Sequence, residues 1–151
     1  MTHTFSNLLF HLIWSTKGRE PWISKEIKPR LNSYIRSVVE AEGAKLLFIN
    51  GMEDHVHLLL GVPLQMCIPD LVAKIKPTST KWINKTFPEM EGNFRWQEGY
   101  GAFTVGRSNL QQVINYIKNQ EEHHKKISFE EEFIQFLQMQ GISYDKRFVL
   151  G

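Results

Sequence analysis

The segment Phe5–Ser15 limits more than any other how this chain can fold. Leu8, Phe10, Leu12 and Trp14 alternate with Leu9, His11 and Ile13, so an extended strand here is apolar on both faces. Such a strand belongs in the middle of a sheet, covered on each side. A short basic turn, Thr16-Lys17-Gly18-Arg19, follows it.

The rest of the chain supplies partners for that strand. Ser24 can cap a helix running to about Glu42, with the stripe Ile27, Leu31, Tyr34, Ile35 and Val38 and with Gly43 at the position after the helix end. Pro29 then falls in the first turn. Two strands, about Ala44–Asn50 and His55–Val62, are joined by the short link Gly51-Met52-Glu53-Asp54 and read as a hairpin. Ile68–Lys85 reads as a second helix perturbed by Pro77. Phe94–Gln97 and Gly101–Val105 read as short strand pieces around a glycine-rich bend. Ser108 with Gln111 forms a capping box that opens a third helix to about Lys125, and Ser128 with Glu131 opens a last helix ending at Gly141. The order β-α-β-β-α-β followed by two helices is the split βαβ pattern. The expected fold is α+β: a ferredoxin-like antiparallel sheet with helices on one face, plus the C-terminal helices.

At 151 residues the chain reads as one domain over 1–151, large enough to bury a core. With 42% hydrophobic and 23% charged residues the composition excludes a disordered chain. No apolar run reaches membrane-spanning length, and the first twenty residues do not read as a signal peptide. The single cysteine, Cys67, forms no internal disulfide and is expected to be a buried small hydrophobe, which suits a reducing, cytoplasmic setting. A net charge of +2 permits an anionic partner without requiring one.

Three features can carry chemistry. Strand alternation sends His55 and His57 from one face of the sheet, with Val56, Leu58 and Leu60 on the other. Two imidazoles so placed can grip a metal ion or a phosphate, or simply cover the sheet. Tyr116 and Gln120, four apart on the third helix, are neighbours on one side of its apolar stripe. Lys74, Thr78, Lys81 and Lys85 line one face of the second helix. With Lys17, Arg19, Arg95 and Arg107 they form either a phosphate track or a solvated face. His123 and His124 sit in a last helical turn, where cations favour the dipole.

Together these residues resemble the single-tyrosine HUH transposases of the smallest bacterial insertion sequences, the two-hundred type. HUH denotes His-hydrophobic-His, here His55-Val56-His57. The resemblance covers nearly the whole chain. It runs through Phe10 to Lys17, Asp54 to Leu60, Ser79-Thr80-Lys81-Trp82, Trp96 through Tyr100, and Tyr116-Ile117-Lys118-Asn119-Gln120. The tail Glu121 to Lys126 with Ser128-Phe129 resembles the REP-associated subgroup. The resemblance implies metal-dependent cleavage and rejoining of single-stranded DNA at hairpin-marked ends through a 5′-phosphotyrosine. It implies Tyr116 as nucleophile, His55, His57 and Gln120 as ligands of Mg2+ or Mn2+, and a homodimer.

The chemistry is consistent with that reading. A tyrosyl ester stores the bond energy, so rejoining needs no ATP. Three neutral ligands leave the ion its full charge for the phosphate, at the cost of weak affinity. No general base for Tyr116 is apparent. Gly99, Gly101 and Gly106, just before the tyrosine helix, suggest a hinge and hence helix exchange, with Tyr116 and Gln120 of one protomer meeting His55 and His57 of its partner. Two other readings are a zinc hydrolase using Glu53 or Asp54 with the histidines, and a non-catalytic nucleic-acid module stacking bases on Trp14 and Phe48.

Overall fold

The computed structural model describes residues 3–149. The segment apolar on both faces becomes β1 (Leu8–Ser15). With β2 (Lys45–Met52), β3 (His55–Val62) and β4 (Gly101–Val105) it forms a four-stranded sheet of order β2-β3-β1-β4. Every pairing is antiparallel, and β1 sits inside between β3 and β4. This is the ferredoxin-like order that the element pattern implies.

Alternation along the strands then sorts the side chains. Leu12, Trp14, Leu46, Val56, Leu58 and Leu60 enter a core with α1 (Ile27–Ala41) and α2 (Ile68–Thr86). The opposite face carries His11, Ile13, His55 and His57. It is covered by α3 (Leu110–Lys118), α4 (Gln120–His124) and α5 (Phe129–Met139). A second, smaller core of Ile13, Phe103, Phe129, Phe133, Leu137 and Val149 lies there. The C-terminal helices are thus the second layer that a doubly apolar β1 demands.

Local signals account for several boundaries. The Ser24 hydroxyl accepts from the Ile27 amide at 3.2 Å, and Gly43 takes the φ of 97° that ends α1. Ser128 Oγ accepts from the Glu131 amide at 3.2 Å and starts α5. The hairpin turn is only Glu53-Asp54, because β2 continues to Met52.

Four expectations are corrected. The helix after Ser108 is not continuous: it begins through a short 3-10 turn without a serine cap, and Asn119 (φ −95°, ψ 29°) breaks it into α3 and α4. Asn fits this because its side chain competes for backbone hydrogen bonds and its helix propensity is low. Phe94–Gln97 is not a strand and contributes only the isolated bridge between Thr16 and Trp96. Cys67 is exposed at the start of α2. Pro77 does not interrupt α2. The hydroxyls of Thr78 and Ser79 bond the carbonyls of Lys74 and Ile75, each at 2.6 Å, in the turn the proline disturbs.

Candidate active site

The histidines of β3 leave the sheet toward the C-terminal layer and are fully covered by it, with His55 at 1% and His57 at 0% exposure. The break at Asn119 starts α4 at Gln120, whose side chain is buried and whose Oε1 lies 2.8 Å from His55 Nε2. The end of α3 is tied to the sheet by Asn50, whose amide donates to the carbonyls of Ile117 (2.9 Å) and Lys118 (3.3 Å). Tyr116 is thereby placed with its ring 5.9 Å from the His57 ring. His55, His57, Tyr116 and Gln120, singled out from the sequence, come together within one chain.

Five further residues complete the site. His11 of β1 faces His57 on the paired strand, His11 Nε2 to His57 Nδ1 at 2.8 Å. Glu132 of α5 is 1% exposed and lies 3.0 Å from His57 Nε2 through Oε1. Its Oε2 accepts from the Tyr116 hydroxyl and from Gln120 Nε2 at 3.2 Å. His124 puts Nε2 3.2 Å from the same Oε2, and His123 Nε2 lies 2.8 Å from the Tyr116 hydroxyl. The two histidines therefore belong to the site and are not merely a helix-end pair. Asp54 reaches His55 as well, from behind: its Oδ1 accepts from Nδ1 at 2.7 Å. It lies in the turn and escapes the alternation that would send it to the other face. Glu53 is exposed, so the carboxylate on the ligand side is Glu132, contrary to the hydrolase reading. Trp14, proposed as a stacking surface, is fully buried between the layers.

The hydrogen bonds fix which way the lone pairs point. Asp54 takes the proton on His55 Nδ1, and the Ile127 carbonyl takes that on His124 Nδ1 at 2.9 Å. In the neutral rings both Nε2 atoms then present lone pairs inward. The Nε2 of His55 faces Gln120 Oε1 and, at 3.5 Å, Glu132 Oε1. The buried His124 Nε2 makes no hydrogen bond. Nitrogen and oxygen acceptors of His55, His124, Gln120 and Glu132 crowd one point, where a divalent cation would find ligands. The donor set therefore fits a divalent metal.

Burial governs the ionisation. Desolvation, reinforced by the His57 charge and opposed by Glu132, lowers His11 to about 3. Desolvation also lowers His57 to about 4 against the pull of Glu132. Burial alone raises the Glu132 carboxyl, but the neighbouring His124 and His57 outweigh it and hold it well below the usual range. The Tyr116 phenol is pushed up, by burial first and then by Glu132. Both His11 and His57 have folded values below the ordinary 6.5, so the unfolded chain takes up protons first as pH falls. Their contribution to stability is complete above about pH 6.5 and is lost on acidification toward about 4 for His57 and about 3 for His11. Between pH 6.5 and 5 each histidine should cost up to about 2 kcal/mol. Urea midpoints in EDTA should fall over that interval; a flat profile would mean that these rings are solvated in solution.

The basic residues divide. Arg19 lines a surface cleft with Asp54, His124 and Phe129, and Lys17 bonds the backbone of Arg95 at the same end of the sheet. Lys74, Lys81 and Lys85 are exposed on α2, on the far layer from Tyr116.

Comparison with known proteins places a chain with this sheet and site among DNA-processing enzymes. The chain belongs to the family of IS200-like transposases, whose model matches residues 4–120. It is 31% identical over 117 residues to the ISDra2 transposase TnpA of Deinococcus radiodurans, covering 75% of this chain and 84% of that protein. It is 27% identical over 129 residues to the transposase for insertion sequence element IS200 of Salmonella typhimurium, covering 83% and 84%. A crystal structure from D. radiodurans assigned as a transposase superposes with a TM-score of 0.66 at 32% identity, over 80% of this chain and 95% of that one. The fold alone is shared with a REP-associated tyrosine transposase bound to a REP hairpin, with a TM-score of 0.59 at 13% identity over 84% and 74%. Among the described residues no helix is long and apolar enough to cross a membrane.

Proposed function

We propose that this chain cleaves and rejoins single-stranded DNA at hairpin-marked ends through a 5′-phosphotyrosine on Tyr116. One observation carries the reading: the Tyr116 ring packs at 78° to the His57 ring, beside the point where His55, His57 and Gln120 direct their donor atoms. Attack by the Tyr116 oxygen forms the new P–O bond as the bond to the 3′-oxygen breaks. The phenol proton passes to Glu132, whose Oε2 already accepts it, and the leaving 3′-oxygen gains a proton from solvent. The reverse attack by a 3′-hydroxyl rejoins DNA and returns the proton to Tyr116. Burial keeps Tyr116 protonated at rest, so the acceptor is needed. When bound at His55, His57 and Gln120, Mg2+ or Mn2+ supplies charge neutralisation for the phosphate.

A denaturing gel of the protein with hairpin-bearing single-stranded DNA tests the reading. A covalent adduct supports it; binding without an adduct would assign the chain to a non-catalytic nucleic-acid module.

Lys17, Arg19 and Arg95 are assigned to phosphates near the scissile bond, and Lys74, Lys81 and Lys85 to DNA held on the far layer. Each lysine replaced by Ala on α2 should weaken binding across sequences and lower the salt slope by about 0.7 to 0.9, measured by fluorescence anisotropy. An unchanged slope for all three returns that face to solvent.

The active assembly is proposed to be a homodimer with exchanged tyrosine helices. In the single chain the site closes in cis, and most of the glycine-rich hinge is β4: a Cβ on Gly101 would lie 2.9 Å from Ile13 Cγ2, which leaves Gly106 as the joint. Mixing a His57→Ala chain with a Tyr116→Phe chain distinguishes the two arrangements. Exchange restores cleavage in the heterodimer, whereas no recovery, with heterodimers confirmed by native mass spectrometry, assigns the site to one chain.

A further inference from the structure

The family model ends at residue 120, yet two of the groups around the histidines, His124 and Glu132, come from the chain beyond it. His55, His57, His124 and Glu132 each offer a ligand atom, and these atoms lie within 4.8 Å of one another. The gaps to the Glu132 oxygens are 3.0 Å from His57, 3.5 Å from His55 and 3.2 Å from His124. A tetrahedral ion with bonds of about 2.0–2.1 Å sets its donors roughly 3.3–3.4 Å apart. The gaps from the three imidazoles to the carboxylate, two to Oε1 and one to Oε2, are therefore close to the edges of such a shell. The Nδ1 partners of His55 and His124, Asp54 and the Ile127 carbonyl, hold both Nε2 lone pairs toward its centre.

We propose that His124 and Glu132 complete, with His55 and His57, a protein-only site for a divalent transition metal, zinc above all. Three imidazoles and one carboxylate suit zinc, whereas magnesium prefers oxygen and keeps its waters. The buried carboxylate gives this set a negative charge that His55, His57 and Gln120 alone lack. With Glu132 engaged, the Tyr116 hydroxyl stays tied to the same side chain, so this is a closed state of the site. The inference rests on reading His55 and His57 as metal ligands and extends that reading to the C-terminal helices.

Metal-stripped full-length protein, titrated with Zn2+, Mg2+ or Co2+ without DNA, tests it by calorimetry and visible absorption. One Zn2+ should bind per chain and resist displacement by excess Mg2+, and Co2+ should show the intense bands of a four-coordinate ion. Glu132→Gln and His124→Ala should each lower Zn2+ affinity by roughly tenfold or more and weaken those bands. Far-UV circular dichroism checks that the variants fold. If Glu132→Gln does not, His124→Ala decides, because its side chain is less tightly bonded. If both variants bind Zn2+ like wild type while His57→Ala does not, the C-terminal ligands are wrong and the metal reading of His55 and His57 stands. If wild type binds neither Zn2+ nor Mg2+, both readings fail.

Discussion

Tyr116→Phe should remove the covalent DNA adduct, with cleavage reduced at least roughly a thousandfold, as expected when a nucleophile is deleted. The substitution keeps the ring, so its packing against His57 and Phe136 persists and the fold survives. What disappears is the oxygen that bonds Glu132 and faces His123. Hairpin binding, read by anisotropy, should stay within a few-fold of wild type. Adduct formation and peptide mapping give the decisive measurement. An adduct persisting in this variant on Tyr34, Tyr100 or Tyr144 would sink the assignment of Tyr116.

His57→Ala should act on chemistry and on stability together. Cleavage should fall by more than roughly a hundredfold, the upper end of what the loss of a supporting partner costs. The ring is fully buried and bonds His11 on one side and Glu132 on the other. Its removal strands both and leaves a cavity, at a cost of about 2–4 kcal/mol in urea unfolding. His55→Ala should behave alike, and Gln120→Ala should weaken cleavage less, since an amide oxygen is the poorer ligand. Wild-type cleavage that ignores EDTA would remove the metal from the account.

The sequence makes the sheet and half of the site readable, because both rest on short-range periodicity. Alternation alone places His55 and His57 together, away from Val56 and Leu58. The doubly apolar β1 announces two covering layers. Glu132 escapes because it ends an acidic run, Glu130 to Glu132, in a first helical turn, where carboxylates usually complement the dipole. The signal is nonetheless present: Glu132 lies three residues after Phe129 and four before Phe136, on the apolar stripe of α5. A charge there must find a buried partner. His11 needs the strand register, which brings it beside His57 only across β1 and β3. His124 is legible only once Asn119 is known to break the helix, since a straight continuation aims it differently.

That break has a mechanical consequence. A continuous helix is a ruler: residues four apart keep one spacing and one angle, and a nucleophile and a ligand engraved on it move as one. Asn119 cuts the ruler between Tyr116 and Gln120, and the amide of Asn50 clamps the end of the first piece to β2. The angle between the two pieces becomes an adjustable setting, held by a clamp on the sheet instead of by the helix. Small changes at Asn50 or Asn119 can thus retune the aim of the phenol against the imidazoles of β3, which the sheet holds.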